Sequence, residues 1–267
     1  MDGLVKALSD APHHLRVVTF SMDDLYLPFK DQSELSQRYP ANKLIEFRGL
    51  PGTHDIRLGT QTFQALGHAN TKAAASATMS IPSYDKALNN GRGDQVPRDQ
   101  WLHLQGPVDV VLFEGWSLGF KSIRDQAQLE AIRSTATFPP LHLAKHSLES
   151  LEWVNEALEE YEREWYPYFD IFVHLSAPNL STVFQWRAEQ ERDLWRKKGA
   201  GMSEEQVSEF VARFMPAYEL YLERLKHESL FRDGADRTPA RDASAAGRHL
   251  RLDLDEGRDL LSTTLVE

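Results

Sequence analysis

Val108-Asp109-Val110-Val111-Leu112-Phe113-Glu114-Gly115 is the stretch that decides the fold. The apolar run Val110 to Phe113 ends abruptly in a carboxylate and a glycine. The run has strand length rather than helix length, and its continuous apolarity predicts a strand buried on both faces of a parallel sheet. Val17-Val18-Thr19-Phe20 repeats the design upstream and passes into Ser21-Met22-Asp23-Asp24. Downstream, Ile171-Phe172-Val173-His174-Leu175 reads as a third buried strand, and His249 to Leu254 as a last one that turns at Asp255-Glu256-Gly257.

Helical patterns separate these runs. Residues 4–9 read as the end of a helix that turns at Asp10-Ala11-Pro12. From Ser147 onward, Leu151, Val154, Leu158, Tyr161 and Trp165 recur on one helical face, opposite a solvated face of Glu152, Glu156, Glu159 and Glu160. Leu180 to Lys198 reads as a second helix, loaded with Arg187, Arg192, Arg196, Lys197 and Lys198. Ser203-Glu204-Glu205-Gln206 forms a capping box that opens a third helix, with Val207, Phe210, Phe214, Tyr218 and Leu225 as its apolar stripe. Strands alternating with long helices predict βαβ units and an α/β fold with a mostly parallel sheet. The chain is read as a single domain, 1–267, with 67–80 and 232–248 as flexible insertions.

The bulk composition excludes several classes of function. A formal net charge of −10 argues against a general nucleic-acid surface, which needs clustered Lys and Arg. No stretch approaches the roughly 18 consecutive apolar residues of a membrane span. The absence of cysteine removes disulfides, thiolate metal sites and cysteine nucleophiles, and fits a reducing compartment. The opening Met1-Asp2-Gly3-Leu4-Val5-Lys6 has the character of neither a signal nor a transit peptide, so the expected location is cytoplasmic.

Open α/β sheets bind ligands at the C-terminal ends of their strands, where this sequence delivers Asp23 and Glu114. A carboxylate at position 23 can accept the proton of an attacking hydroxyl or orient it for in-line phosphoryl transfer. The alternative is that Asp23 or Asp24 caps the next element. Glu114 suits Mg²⁺, held directly or through water, since that ion takes few carboxylates beside substrate phosphates. Its alternative is a loop-facing acid bonded to backbone. In Arg48-Gly49-Leu50-Pro51-Gly52-Thr53-His54-Asp55, a stiff turn presents Arg48 for a carboxylate, His54, and Asp55 for hydroxyls. The alternative is a plain surface turn. Ile81-Pro82-Ser83-Tyr84-Asp85-Lys86 offers a phenol, an acid and an amine on an extended segment. Asn89-Asn90-Gly91-Arg92-Gly93-Asp94 is turn chemistry, and its Arg-Gly-Asp does not suggest adhesion in an acidic, cysteine-free chain. Arg187 and Arg192 fit phosphate clamps, although a helix alternating Arg with Glu is also the pattern of a solvated surface. A dehalogenase-type phosphatase would want an Asp-x-Asp pair; here the acids are adjacent.

In their order, these segments resemble the P-loop kinase family that includes D-glycerate 3-kinase, with uridine kinase, phosphoribulokinase and bacterial pantothenate kinase as wider relatives. The matching stretches are SMDDLYLP (21–28), RGLPGTHD (48–55), IPSYDKALNNGRGD (81–94), PVDVVLFEGWSLGF (107–120) and, more loosely, QWRAEQE (185–191) with GMSEEQVSEFVARFMPAYELYL (201–222). The resemblance implies an ATP-dependent kinase for glycerate or a similar small acid, with Mg²⁺ accompanying ATP and with neither nucleic acid nor membrane as partner. It implies Asp23 as catalytic base and Mg²⁺ neighbour, and Glu114 as magnesium partner. It places the acceptor near Tyr26, Asp55 and Tyr84; Asp24, Arg48, His54, Lys86 and Arg92 are further candidates for acceptor binding. It makes 180–227 a helical lid and following helix whose Arg187 and Arg192 reach ATP phosphates.

The chain departs from that family in one respect. It contains no G-x-x-x-x-G-K-[ST] loop and is expected to enter within the helix that follows one, at Leu4-Val5-Lys6-Ala7-Leu8. The expectation is a sheet lacking its first, central strand and its phosphate loop, and a polypeptide inactive by itself. The alternative function is a non-catalytic relative that binds a metabolite or a protein.

Overall fold

The computed structural model describes residues 1–71, 78–135, 142–199, 201–231 and 247–267. The chain divides into two compact units, one of residues 1–118 with 160–168, the other of 119–159 with 169–267.

The first unit contains α1 (Asp2–Ser9), β1 (Val17–Ser21), α2 (Phe29–Arg38), α3 (Ile56–His68), β2 (Thr78–Ile81), β3 (Tyr84–Asp85), β4 (Asp94–Gln95), β5 (Leu102–Gln105) and β6 (Val110–Glu114). Strands β1 and β6 run parallel, in register from Val17 opposite Val110 to Ser21 opposite Glu114. Two antiparallel pairs, β2 with β5 and β3 with β4, complete its strands among the described residues. The core is aromatic. Phe20 packs on Phe63 of α3 and Phe113 of β6, at centroid distances of 5.4 and 4.6 Å. Fully buried Trp165 closes the cluster, 6.2 Å from Phe63 and 6.1 Å from Phe113. Gly59 permits this approach, since a Cβ there would lie 2.6 Å from the Trp165 indole.

The second unit contains α4 (Gln126–Thr135), most of α5 (Leu148–Glu164), β7 (Phe172–Ser176), α6 (Leu180–Lys198), α7 (Glu204–Ala212), α8 (Met215–His227), β8 (His249–Leu254) and β9 (Leu260–Leu265). Its sheet has the order β7-β8-β9, with β7 and β8 parallel and β9 antiparallel. The stripe predicted for α5 is buried throughout, and the capping box at Ser203 is formed. The third helix predicted from Ser203 onward is two. A continuous helix would drive the Pro216 ring into the carbonyl four residues earlier, so α7 stops and α8 restarts with Pro216 in its first turn, where no N–H is needed.

The strands are less enclosed than their apolarity predicts. Val111 is exposed on β6, and Ile171, Val173 and Leu175 are exposed at β7, Leu175 by 63%. The alternate residues, Phe172, His174 and Ser176, share a face with His249, Arg251 and Asp253 of β8. Arg251 of that face donates to the carbonyl of Lys226 in α8 at 2.6 Å. The helix thus covers the polar face, and among the described residues the aliphatic face stays open.

The 67–80 insertion is partly regular. Gly67 and His68 end α3 and Thr78 begins β2, while 72–77 lies outside the described residues. Of the 232–248 insertion, 232–246 also lies outside them.

Candidate active site

The parallel register places Ser21 directly opposite Glu114, so Asp23 and Glu114 follow from the same end of one strand pair. Gly115 keeps the two chain exits close, since a Cβ there would lie 2.7 Å from the Cβ of Met22.

After β1 the chain enters a 3₁₀ turn, Met22–Leu25, which separates the two adjacent acids by role. The Asp24 carboxylate accepts from the Ser21 N–H at 2.9 Å, and the Ser21 hydroxyl accepts from the Asp23 N–H at 3.1 Å. Asp24 is therefore the capping-box partner of Ser21, and burial raises its pKa beyond what that hydrogen bond offsets. The Asp23 carboxylate faces outward and pairs with the Lys86 ammonium. Burial alone would raise the Asp23 pKa. The Lys86 charge, with hydrogen bonds from Lys86 and the Tyr26 hydroxyl, outweighs burial and holds the group below the ordinary carboxylate value.

Tyr26 is buried beside this acid, and burial followed by the Asp23 charge pushes its phenol up. Its ring stacks on His54 at 4.5 Å and meets Tyr84 edge-on at 5.4 Å. The 48–55 turn docks here through backbone bonds, Leu27 N–H to Thr53 O at 3.0 Å and Asp55 N–H to Leu25 O at 2.7 Å. Asp55 caps α3 by accepting from the Leu58 N–H at 2.9 Å. Tyr84 donates to the Arg92 carbonyl at 3.3 Å, and burial pushes its phenol up to about 12.

Arg48 and Arg92 occupy this neighbourhood in a structural capacity. The Arg48 guanidinium donates to the carbonyls of Gly91 at 2.9 Å, Arg92 at 2.5 Å and Lys86 at 3.4 Å. It also lies 5.9 Å from the Tyr26 ring centroid and 5.5 Å from that of Tyr84. Arg92 donates to the Glu46 carbonyl at 3.2 Å and covers the Phe47 ring. Arg48 thus latches the turn that carries Lys86, a function the sequence did not reveal because its acceptors lie some forty residues away. Lysine keeps the charge but lacks the planar fork. Arg48→Lys should cost about 1–3 kcal/mol of stability and speed amide exchange in residues 86–93. Unchanged exchange there would remove the latch.

Glu114 is exposed, and its carboxylate has no ion pair or hydrogen bond among the described residues. Among those residues no group of three or more His, Asp or Glu could hold a metal. One free carboxylate with a second close in the fold is oxygen-only donor chemistry. It fits Mg²⁺, which completes its shell with water and phosphate, better than a metal wanting a closed protein cage.

The two predicted phosphate-clamp arginines belong to the second unit. Arg187 pairs with buried Glu191 at 2.9 Å and covers the Phe210 ring at 5.3 Å. Arg192 lines an open hollow with Trp195, Met202 and Val207. Sequence reasoning placed Tyr161 in the apolar stripe of α5 and missed its polar contacts. The Tyr161 hydroxyl accepts from the Gly52 N–H at 2.8 Å and meets His54 Nδ1 at 2.8 Å. The available signal was a phenol on a core-facing stripe, which needs a partner when buried.

Carboxylates at the C-terminal ends of parallel strands in a mixed α/β protein are consistent with the P-loop-like kinase fold, which comparison with solved structures supports. No family model matches the sequence. The chloroplastic D-glycerate 3-kinase of Arabidopsis thaliana is 35% identical over 241 residues, covering 90% of this chain and 46% of that protein. The chain therefore spans about half the length of that relative. The probable ATP-dependent kinase TDA10 of Saccharomyces cerevisiae is 34% identical, over 79% of this chain and 68% of its own length. The solved structure of D-glycerate 3-kinase from Cryptococcus neoformans superposes with a TM-score of 0.83 at 34% identity, covering 99% of this chain and 84% of that one. The chain belongs to the family of D-glycerate 3-kinase and related ATP-dependent kinases.

Proposed function

We propose that the protein is an ATP-dependent kinase that transfers the γ-phosphoryl group to a hydroxyl of glycerate or a similar small hydroxy acid. The observation that carries this reading is the Asp23–Lys86 pair. A carboxylate able to receive or orient a hydroxyl sits against an ammonium able to receive an acid's carboxylate. A hydroxy acid matches both groups at once. Its carboxylate takes over Lys86, which releases Asp23 for the hydroxyl, whereas uridine has no anionic group for that exchange.

In this reading Glu114, with Asp23 as its neighbour at the same strand ends, would hold the Mg²⁺ that accompanies ATP. That ion would supply charge neutralisation at the phosphates, while this chain's residues hold and orient the acceptor. Tyr26 and Tyr84 wall the acceptor pocket, Asp24 and Asp55 fix its backbone, and Arg48 and Arg92 support the turn beneath Lys86. Arg187 and Arg192 are assigned to ATP phosphates, and Arg187 must leave Glu191 to reach them. Within these 267 residues no P-loop motif supplies the N–H cradle or the phosphate lysine, so we assign them the acceptor and metal side of the reaction. Taken alone they are expected to hold ATP weakly.

Calorimetric titration with D-glycerate, glycolate, uridine and pantothenate tests the assignment without depending on turnover. Glycerate should bind, and Lys86→Ala should weaken that binding without abolishing it. Binding of uridine or pantothenate with none of glycerate would defeat the reading.

A further inference from the structure

The histidine of the 48–55 turn has one satisfied nitrogen and one that is not. His54 is 3% exposed, and its Nε2 is a buried polar atom with no hydrogen-bond partner among the described residues. Burial pushes its pKa down to about 3, so the ring is neutral at physiological pH and carries one proton. The location of that proton follows from Tyr161. The Tyr161 hydroxyl already accepts from the Gly52 N–H, is fully buried, and has a single proton to give. Its one acceptor among the described residues is His54 Nδ1, at 2.8 Å. Nδ1 is thus the bare nitrogen and Nε2 bears the hydrogen.

The result is a buried N–H donor with nothing to donate to, on a ring stacked against Tyr26, whose own hydroxyl bonds Asp23. The Asp23 charge acts on the same ring. A buried donor without an acceptor costs stability, and native proteins keep very few of them. The ring that carries this donor stacks on Tyr26 and feels the Asp23 charge, which makes a ligand oxygen the acceptor to test.

We propose that Tyr161 is a positioning residue that fixes His54 as the Nε2–H tautomer, and that this N–H donates to an oxygen of the bound hydroxy acid. The inference rests on the kinase reading for the identity of the ligand. The tautomer does not depend on that reading. The relay is neutral throughout: Gly52 N–H holds Tyr161, Tyr161 O–H holds His54 Nδ1, and His54 Nε2–H meets the acceptor. A neutral donor of this kind selects an oxygen without adding charge to a pocket that already holds Lys86 and Asp23.

The test is nitrogen NMR on the protein labelled with ¹⁵N-histidine, with the His54 signals assigned by their loss in His54→Phe. Wild-type His54 should show a protonated Nε2 and a bare Nδ1, constant from pH 5 to 8. Tyr161→Phe should convert it to a mixture of tautomers. D-glycerate should shift the Nε2 signal, and His54→Phe should bind glycerate about 3- to 10-fold more weakly, the range of one neutral hydrogen bond. A protonated Nδ1 in the wild type overturns the inference, as does glycerate heat with an unmoved Nε2 signal. Failure of the kinase reading looks different: no glycerate heat at all, with the His54 tautomer unchanged.

Discussion

In a polypeptide that joins these residues to an upstream phosphate-binding loop, Asp23→Asn should lower turnover of glycerate by about 10²–10⁴-fold, the usual range for a general base. A loose transition state would bring the loss toward the low end. Nucleotide affinity should be nearly unchanged, because the proposed function has Asp23 act on the acceptor hydroxyl. Stability should change little. The lost ion pair joins a lysine 57% exposed to a carboxylate 27% exposed, and such surface pairs contribute about 0–1 kcal/mol. A variant as active as the parent would reduce Asp23 to a structural acid. Lys86→Ala gives the complementary readout. Burial raises the Asp23 pKa and the Lys86 ammonium lowers it, so removing the ammonium leaves burial dominant. The acid limb of the rate profile should then move to higher pH. A move to lower pH would show that another group governs the limb.

The sequence exposed the parts of this site whose cause is local. An apolar strand ending in Glu114 announces a sheet end, and the adjacent pair Asp23-Asp24 announces a cap and a spare acid. Which acid is the cap depended on the turn: Ser21 and Asp24 exchange backbone bonds, leaving Asp23 to face Lys86. The stripe of α5 and the strand β8 were legible because each obeys one period over its full length. Strand β9 was not legible. Leu260 and Leu261 are adjacent and both exposed, so the strand carries no alternation to read. The β2–β5 pair joins segments some twenty residues apart, and pairing at that distance leaves no local mark.

Arg48 and Tyr161 show the same limit at single residues. Sequence chemistry correctly identifies a guanidinium as a carboxylate fork, but the folded chain directs this one to three backbone carbonyls. Periodicity correctly identifies Tyr161 as buried. It says nothing of where the hydroxyl goes, and that hydroxyl is what ties the core helix to His54. In both cases the residue type limits the possible bonds, and the tertiary fold selects among them.

Trp165 is where the core of the first unit and its site meet, and its loss should be the largest stability change of any single substitution there. The indole is fully buried, stacks on Tyr161 at 4.7 Å, meets the His54 ring edge-on at 6.2 Å, and donates to the Ile56 carbonyl at 3.2 Å. Trp165→Ala should cost about 3–5 kcal/mol, the range for emptying a large aromatic site, against a typical stability of about 5–15 kcal/mol. Gly59→Ala should cost about 1–3 kcal/mol by overpacking, because its methyl would lie 2.6 Å from the same fully buried indole. The two costs should not add. In the double variant the methyl enters space the indole has vacated, so the pair should be less damaging than the sum by more than the ~0.5 kcal/mol scatter of independent sites. Urea midpoints for the two single variants and the double variant, at matched slopes, measure this directly. Additive costs would mean that α3 and Trp165 do not touch as described, and that the wall behind Tyr161 and His54 is built by other residues.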